Sequence, residues 1–556
     1  MTASGHVADP DTTYDVAILG NHLASGLLAA ILARHGVRVV LMGAPADQVE
    51  PSGDSTVPYT TAVFQLLAER FEVPEIAAFA HFVDLPERVR RSSGIKKSLA
   101  FLHHTTGRKH DPRHTVQFHV PGEHNEWHLY RPIVDDHARA VAVGHGTHTV
   151  PDPVASVRLG DDSVVVTDTG GRSFVARYVI DACGMDSPLL GSLGVVEPTS
   201  SLILRSRMLT THMRGVRPFE EVVRLGDYRS ATAFSKGTVH HLFDGGWVQV
   251  VDFANHDGST NQVCAVTVGL DPDRFPDLPA EPEAAFRALV SRFPSIAAQF
   301  AGASSCRPWV TGDPWQRTTK VTYGARWFAM ERSACRTDEF LSRDVTVAAE
   351  VVHALAATLL RVVRQPGSAE AELARVAAFQ SRLVDFNDRM LAAARTAASD
   401  FRLWNAYSRV WLLWQILAHL SLKRASADSA AAGSWQPVER FDHALWFDTP
   451  AGVRELLDWF FDQFDQVRSG ALAPPAAAAA IFKALRRARF VPPLYKFGDP
   501  DARYYHFTMP RRLLMLAWVK TVAPSDFKRL LSRENVTGRR QEPTPAQAAT
   551  AGSGRT

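Results

Sequence analysis

Ten histidines fall between His103 and His148, and an imidazole titrating near neutrality can bind a metal or move a proton. Glu126-Trp-His128 and His145-Gly-Thr-His148 come nearest to ligand spacing. Neither is a His-Glu-x-x-His pair on one helix face, so no metal site is expected. A serine hydrolase has little support, because no Gly-x-Ser-x-Gly elbow follows a strand in a suitable place. Cys183, Cys264, Cys306 and Cys335 are too widely spread for a zinc cluster and too few for a disulfide framework, which fits a reducing compartment. Trp404, Tyr407, Trp411 and Trp414 recur at i, i+3, i+7 and i+10, one helix face. That stripe reads as core packing, with the wall of a pocket for an aromatic molecule as the second reading.

These residues need a frame. The chain has 556 residues, 46% apolar and 21% charged, with 61 Lys+Arg against 58 Asp+Glu for a net charge of +3. That is an ordinary globular balance, with room for roughly two to four domains. No basic face is concentrated enough for nucleic acid or an anionic membrane, which leaves small-molecule chemistry as the leading class. The longest apolar stretches, Val410 to Leu422 and Leu513 to Val519, are interrupted or too short for the roughly twenty residues of a membrane span. No basic start followed by an apolar run opens the chain, so a soluble, cytoplasmic protein is expected.

Tyr14 to Leu19, Leu23 to His35 and Val37 to Met42 read as a β-α-β opening, the usual entry to a parallel, doubly wound sheet. Strand-like runs near 155–180 lead to Tyr178-Val-Ile-Asp-Ala-Cys-Gly184, whose end sits where a sheet edge meets a ligand. Residues 201–330 alternate as in an antiparallel sheet, and from about Val345 the pattern is helical. The expected class is α/β. A disordered lead covers 1–13, a Rossmann-like unit 14–200 and 320–365, an antiparallel-sheet unit 201–319, a helical region 366–534 and a disordered tail 535–556.

Five segments carry a resemblance: Gly20 to Leu28, Gly53-Asp-Ser-Thr-Val-Pro58, Gly94-Ile-Lys-Lys-Ser-Leu-Ala-Phe101 with His103-His104, Asp181-Ala-Cys-Gly184, and His240 to Trp247. In these the chain resembles the flavin-dependent halogenases of the tryptophan-halogenase-like branch, relatives of aromatic flavin monooxygenases. Trp247-Val-Gln249 is similar to the family's Trp-x-Trp with the second Trp replaced. In that family reduced FAD reacts with oxygen, halide is oxidised to hypohalous acid, and a lysine directs it at an electron-rich aromatic ring. By register Lys96 matches that lysine, with Lys97 as the one-residue alternative. The resemblance further implies that Asp54, His103, His104, Arg131 and Asp338 face the interior cavity, and that Trp247, Trp404 and Trp411 wall the substrate pocket.

The cofactor segments depart from the family. In the Gly-x-Gly-x-x-Gly turn the register gives Gly20, His22 and Ser25, so side chains stand where the pyrophosphate approaches backbone N–H groups and where helix meets strand. Gly43 and Ala44 stand where an acid that bonds the ribose is expected. In the late Gly-Phe-x-Asp-Pro-x-x-Ser-x-Gly loop, Asp338 and Ser342 survive, but Cys335 and Asp344 replace the glycines and Glu339 the proline. Leu341 takes the position of the glutamate found in tryptophan-specific members, which argues against free tryptophan as substrate.

Together these changes suggest that Gly20, His22, Ser25, Arg131, Asp181 and Ser342 form a degenerate FAD site. The expected protein is then a cofactor-free natural-product enzyme, performing acid/base cyclisation, condensation or rearrangement through Lys96, His103, His104, Asp54 and Asp338. The substrate is a small molecule, free or tethered to a carrier protein. Two alternatives stand beside it: a working FAD-dependent halogenase or oxygenase supplied by a flavin reductase, and a non-catalytic partner protein.

Overall fold

Thr13–Leu19 is buried along its whole length after the first residue, as an apolar strand in the middle of a parallel sheet must be. In this computed structural model, which describes residues 13–44, 55–120, 126–439, 450–506 and 508–531, the strand pairs in parallel with Val39–Met42 and with Ser173–Asp181. The sheet continues in parallel to His148–Val150 on one side and Trp327–Ala329 on the other. Leu19, Met42, Val150 and Asp181 thus end along one edge, where open parallel sheets bind ligands. An antiparallel ribbon, Val154–Leu159 and Val164–Asp168, joins the first half of Ser173–Asp181.

Helix Leu23–Arg34 has no polar face over Leu23 to Leu32, because Arg131–Gly144 and Asp344–Val362 pack against it. Burying Leu27, Leu28 and Ile31 contributes roughly 2 kcal/mol each. A Cβ on Gly26 would lie 2.8 Å from the Ala138 Cβ, so this glycine sets the close approach of the first two helices. Among the described residues one helical segment, Phe340–Val362, is long and apolar enough to cross a membrane, but 78% of its apolar window is buried inside the molecule. It is a core helix.

The second sheet has nine strands, running through Arg207–Arg214, Cys264–Leu270, Gly246–Asp252, Thr238–Phe243, Ser98–His103 and Thr115–His119. Its pairings are antiparallel except at Thr238–Phe243 with Ser98–His103 and at the edge pair Tyr504–Tyr505 with Thr115–His119. Two strands placed by sequence order in the first unit, Ser98–His103 and Thr115–His119, therefore hydrogen-bond into the second sheet. Hydrogen bonding does not follow the expected boundary at residue 200.

Side chains alternate across this sheet. Leu99, Phe101, Leu242 and Trp247 face the long helices Ala369–Ala397 and Phe401–Ala432, while Ala100, Leu102, Val239 and Val248 face Pro282–Ser291 and Pro294–Gln299. Further helices, Val453–Arg468 and Pro474–Arg487, complete the helical layer. The expected lead before Thr13, the expected tail at 535–556 and Asp54 lie outside the described residues.

Candidate active site

Lys96 ends the short strand Gly94–Lys96, which pairs antiparallel with Glu126–His128 and so sets Lys96 opposite Glu126. Both are almost fully buried, at 2% and 1% exposure. The Lys96 ammonium donates to Ser55 Oγ at 3.1 Å and to the Thr56 carbonyl. Thr61 Oγ1 donates to Glu126 Oε1 at 3.5 Å, and Glu126 Oε2 has no partner among the described residues. Burial pulls Lys96 down to about 8 and pushes Glu126 up to about 7, each opposed by the charge of the other. His128 Nδ1–H donates to the Asp252 carbonyl at 2.9 Å and Nε2 accepts from Thr238 Oγ1 at 3.1 Å, and desolvation holds the ring near 3, hence neutral.

The first turn sits some distance along the chain, at the edge of the parallel sheet. Gly20 has φ +103°, and a Cβ there would lie 2.4 Å from the Ala182 carbonyl oxygen, so glycine is required. His22 caps helix Leu23–Arg34 in an extended conformation. Its ring Nε2 bonds the Ala182 carbonyl at 2.9 Å, and Nδ1 lies 3.3 Å from Glu331 Oε2. Ser25 Oγ accepts from the His22 N–H at 2.9 Å and donates to the His22 carbonyl at 2.8 Å. The Leu23 N–H donates to Asp135 Oδ1 at 3.0 Å, an oxygen also held by Arg131 Nε at 2.8 Å.

Two clefts flank this turn. One of about 360 Å³ is lined by His22, Arg131, Cys183, Glu331 and Asp344 among others, and a second of about 430 Å³ by Asn21, Gly43, Arg139 and Val150. Asp181 does not face them freely. It accepts from Cys183 N–H at 3.0 Å, Ser333 Oγ at 2.9 Å and Ser187 Oγ, and so fixes the bend between strand and cleft wall.

The late loop is closed by its own contacts. Asp338 Oδ2 accepts from Ser206 Oγ and from Arg395 at 3.2 Å, while Oδ1 takes the Phe340 N–H at 2.9 Å. Asp338 is a structural anchor and has no free oxygen for the acid/base role expected of it. Leu341 and Ser342 follow at φ +63° and +50°, and two successive non-glycine residues in the left-handed region mark a conformation imposed by tertiary structure. Withdrawal from solvent raises the Asp344 carboxyl, while the charge of Arg332 and the bond from Thr337 Oγ1 at 3.2 Å oppose that shift.

The adjacent histidines diverge because they sit on a strand and its continuation. His103 bonds the Ala398 carbonyl at 3.0 Å on the helical side; His104 bonds His241 Nδ1 at 2.9 Å on the other. Neither contacts Lys96, and both are driven toward the neutral form by burial. No group of three or more metal-ligating side chains occurs among the described residues. Trp404 and Trp411 are buried in one aromatic cluster with Phe101, and Trp247 stacks on Phe340 at 4.8 Å. The tryptophans thus form core packing between sheet and helices.

No family model matches the chain. Tetracycline 7-halogenase of Kitasatospora aureofaciens is 30% identical over 543 residues, covering 96% of this chain and 97% of the relative. The chain belongs to the flavin-dependent halogenases. Monodechloroaminopyrrolnitrin halogenase PrnC of Pseudomonas fluorescens is likewise 30% identical, over 550 residues. Among solved structures, halogenase PltM superposes with a TM-score of 0.83 at 28% identity, covering 88% of this chain and 99% of PltM; another PltM structure is in complex with phloroglucinol and FAD. Chondrochloren halogenase CndH, at 16% identity and a TM-score of 0.54, shares the fold.

These relatives overturn the expectation of a flavin-free cyclase or isomerase. The expectation of no cofactor is not supported either. The inference went wrong by treating a glycine fingerprint as the site. In the fold, Gly20 keeps its tight turn, Gly26 lets helices approach, and the clefts lie across the C-terminal ends of the parallel strands. Arg131 lines the cleft at that edge, where its Nε and the Leu23 N–H both meet Asp135 Oδ1. Sequence reading weighed Glu126 only beside His128 as a metal ligand and did not set it opposite Lys96, and it did not single out Asp135. Only the Arg131 to Asp135 spacing, one helical turn, gave a usable signal.

Proposed function

We propose that this chain is a working halogenase that uses reduced FAD and acts on an electron-rich aromatic small molecule. The observation that carries the reading is Lys96, a buried lysine held by the Ser55-Thr56 segment, with full-length similarity to named halogenases as its setting. Arg131 and the first turn of Leu23–Arg34 would hold the phosphates of FAD, and the wall from Ala182 to Met185 would border the cleft it occupies. Bound and reduced, FAD supplies the reaction with oxygen that oxidises halide.

The rest falls to the chain. Lys96 has three N–H donors, two of them spent on Ser55 and Thr56, which leaves one to orient an electrophilic halogen donor toward the ring. The burial of Lys96, 2% exposed, keeps bulk water from competing for that electrophile. A separate flavin reductase is the partner this cycle requires.

The test is turnover of a phenol panel beginning with phloroglucinol, with FAD, NADH, a flavin reductase, oxygen and chloride or bromide, read by mass spectrometry. Halogenated product that falls at least a hundredfold in K96A and in K96R supports the reading. Product that persists in K96A, or no product with any halide, overturns it.

A further inference from the structure

The cross-strand pair at the centre of the site contains a carboxylate to which nothing yet assigns a role. Glu126 lies opposite Lys96 in the Gly94–Lys96 and Glu126–His128 ladder, at 1% exposure, with Oε2 unpartnered among the described residues. A buried carboxylate with one oxygen unpaired and the other held by a long bond is costly unless a nearby charge compensates it. The groups facing the pair are Ser55 and Thr56 beside Lys96, Thr61 from helix Pro58–Arg70, and His128 and His240, whose charging the Lys96 ammonium opposes. His128 and His240 are both held near 3, so neither supplies a charge at neutral pH. Among the described residues, Glu126 is the anion whose charge acts on Lys96.

We propose that Glu126 is the proton partner of Lys96: its carboxylate keeps the buried lysine an ammonium and takes the ammonium proton when the amine is used. Among the described residues no hydrogen bond or ion pair joins the two, whose charges act on each other across the strand pair, so the proton passes when side-chain rotation brings them together. The exchange is balanced within the pair, since Lys96 NH3+ with Glu126 COO− becomes Lys96 NH2 with Glu126 COOH, and no outside acid or base is consumed. Burial brings the two groups to about 8 and about 7, close enough for the two forms to differ little in energy. Glu126 acts through Lys96 and is a positioning residue. This role deepens the halogenase reading and rests on it for its use in turnover.

The test is run first on the flavin-free protein, so that it stands apart from halogenation itself. In pH-difference infrared spectra, a carboxylic-acid C=O band that titrates near pH 7 in the wild type and is missing in E126Q belongs to Glu126. In K96M that band should titrate about one pH unit or more higher, because the positive charge that favours the carboxylate is gone. T61V, a milder change, should move it upward by less and serves if E126Q fails to fold. A band that titrates at the same pH in wild type and K96M overturns the proposal, as does the absence of any band lost in E126Q or shifted in T61V. In turnover, E126Q should flatten the acidic limb of the kcat profile and E126D should restore part of it. A wild type that shows the coupled titration but makes no halogenated product would sink the halogenase reading and leave the proton pair standing.

Discussion

At the scale of single residues, the motif that carried the resemblance pointed to Lys96, yet the residue opposite it was out of reach. Glu126 lies thirty positions on, and only the backbone pairing of two three-residue strands brings the two together. His103 and His104 were both expected to face one cavity, yet they part because neighbours on an extended chain point to opposite faces. His22 poses the remaining question, since its Nδ1 faces Glu331 in the cleft where a dinucleotide phosphate would lie. Glu331 is the unfavourable member for an anion, and its charge also acts on Arg131. Replacing Glu331 by Gln should therefore tighten FAD binding roughly three- to tenfold, tenfold corresponding to about 1.4 kcal/mol. Fluorescence quenching of FAD titrated into wild type and E331Q measures this, and equal or weaker binding by the variant counts against a phosphate at that edge.

At the scale of elements, the β-α-β opening was readable because its strands are unbroken apolar runs and its helix begins after a glycine. The conclusion drawn from the altered fingerprint failed because a glycine's role depends on what it touches. Ser25 sits at the third fingerprint position, buried and bonded to His22, while Gly26 admits helix Arg131–Gly144 through Ala138. The helix that covers the turn could not be known from residues 20 to 26. Gly20 is the position without an alternative, combining φ +103° with a carbonyl 2.4 Å from any Cβ. G20A should cost about 2–3 kcal/mol from the strained conformation and the displaced strand end. A urea series reads it as a lower midpoint at unchanged slope. A midpoint equal to wild type would mean that the turn can relax, and the cleft edge would then be softer than its packing indicates.

At the scale of the whole molecule, the two sheets and helical layer followed from changes in periodicity along the chain, but their membership did not. Ser98–His103 pairs with Thr238–Phe243 across some 140 residues, a parallel join that no local pattern announces. That second sheet carries His240 and His241, and His104 and His110 sit at its edge, all buried neutral among aromatic rings. Desolvation holds His110, His128, His240 and His241 near 3, whereas an unfolded histidine titrates near 6.5. The folded values are depressed, so the stability these groups confer is complete above about pH 6.5 and is lost as the pH falls toward 3, because the unfolded chain binds protons that the fold refuses. Each contributes a slope of up to about 1.4 kcal/mol per pH unit. The unfolding midpoint in urea should therefore drop continuously from pH 6.5 to pH 5, well before most carboxylates titrate. H241N should lower absolute stability through the lost His104 bond, yet reduce the pH slope by about one proton. A slope that is flat between pH 6.5 and 5, or identical in H241N, would place the acid sensitivity outside this histidine layer.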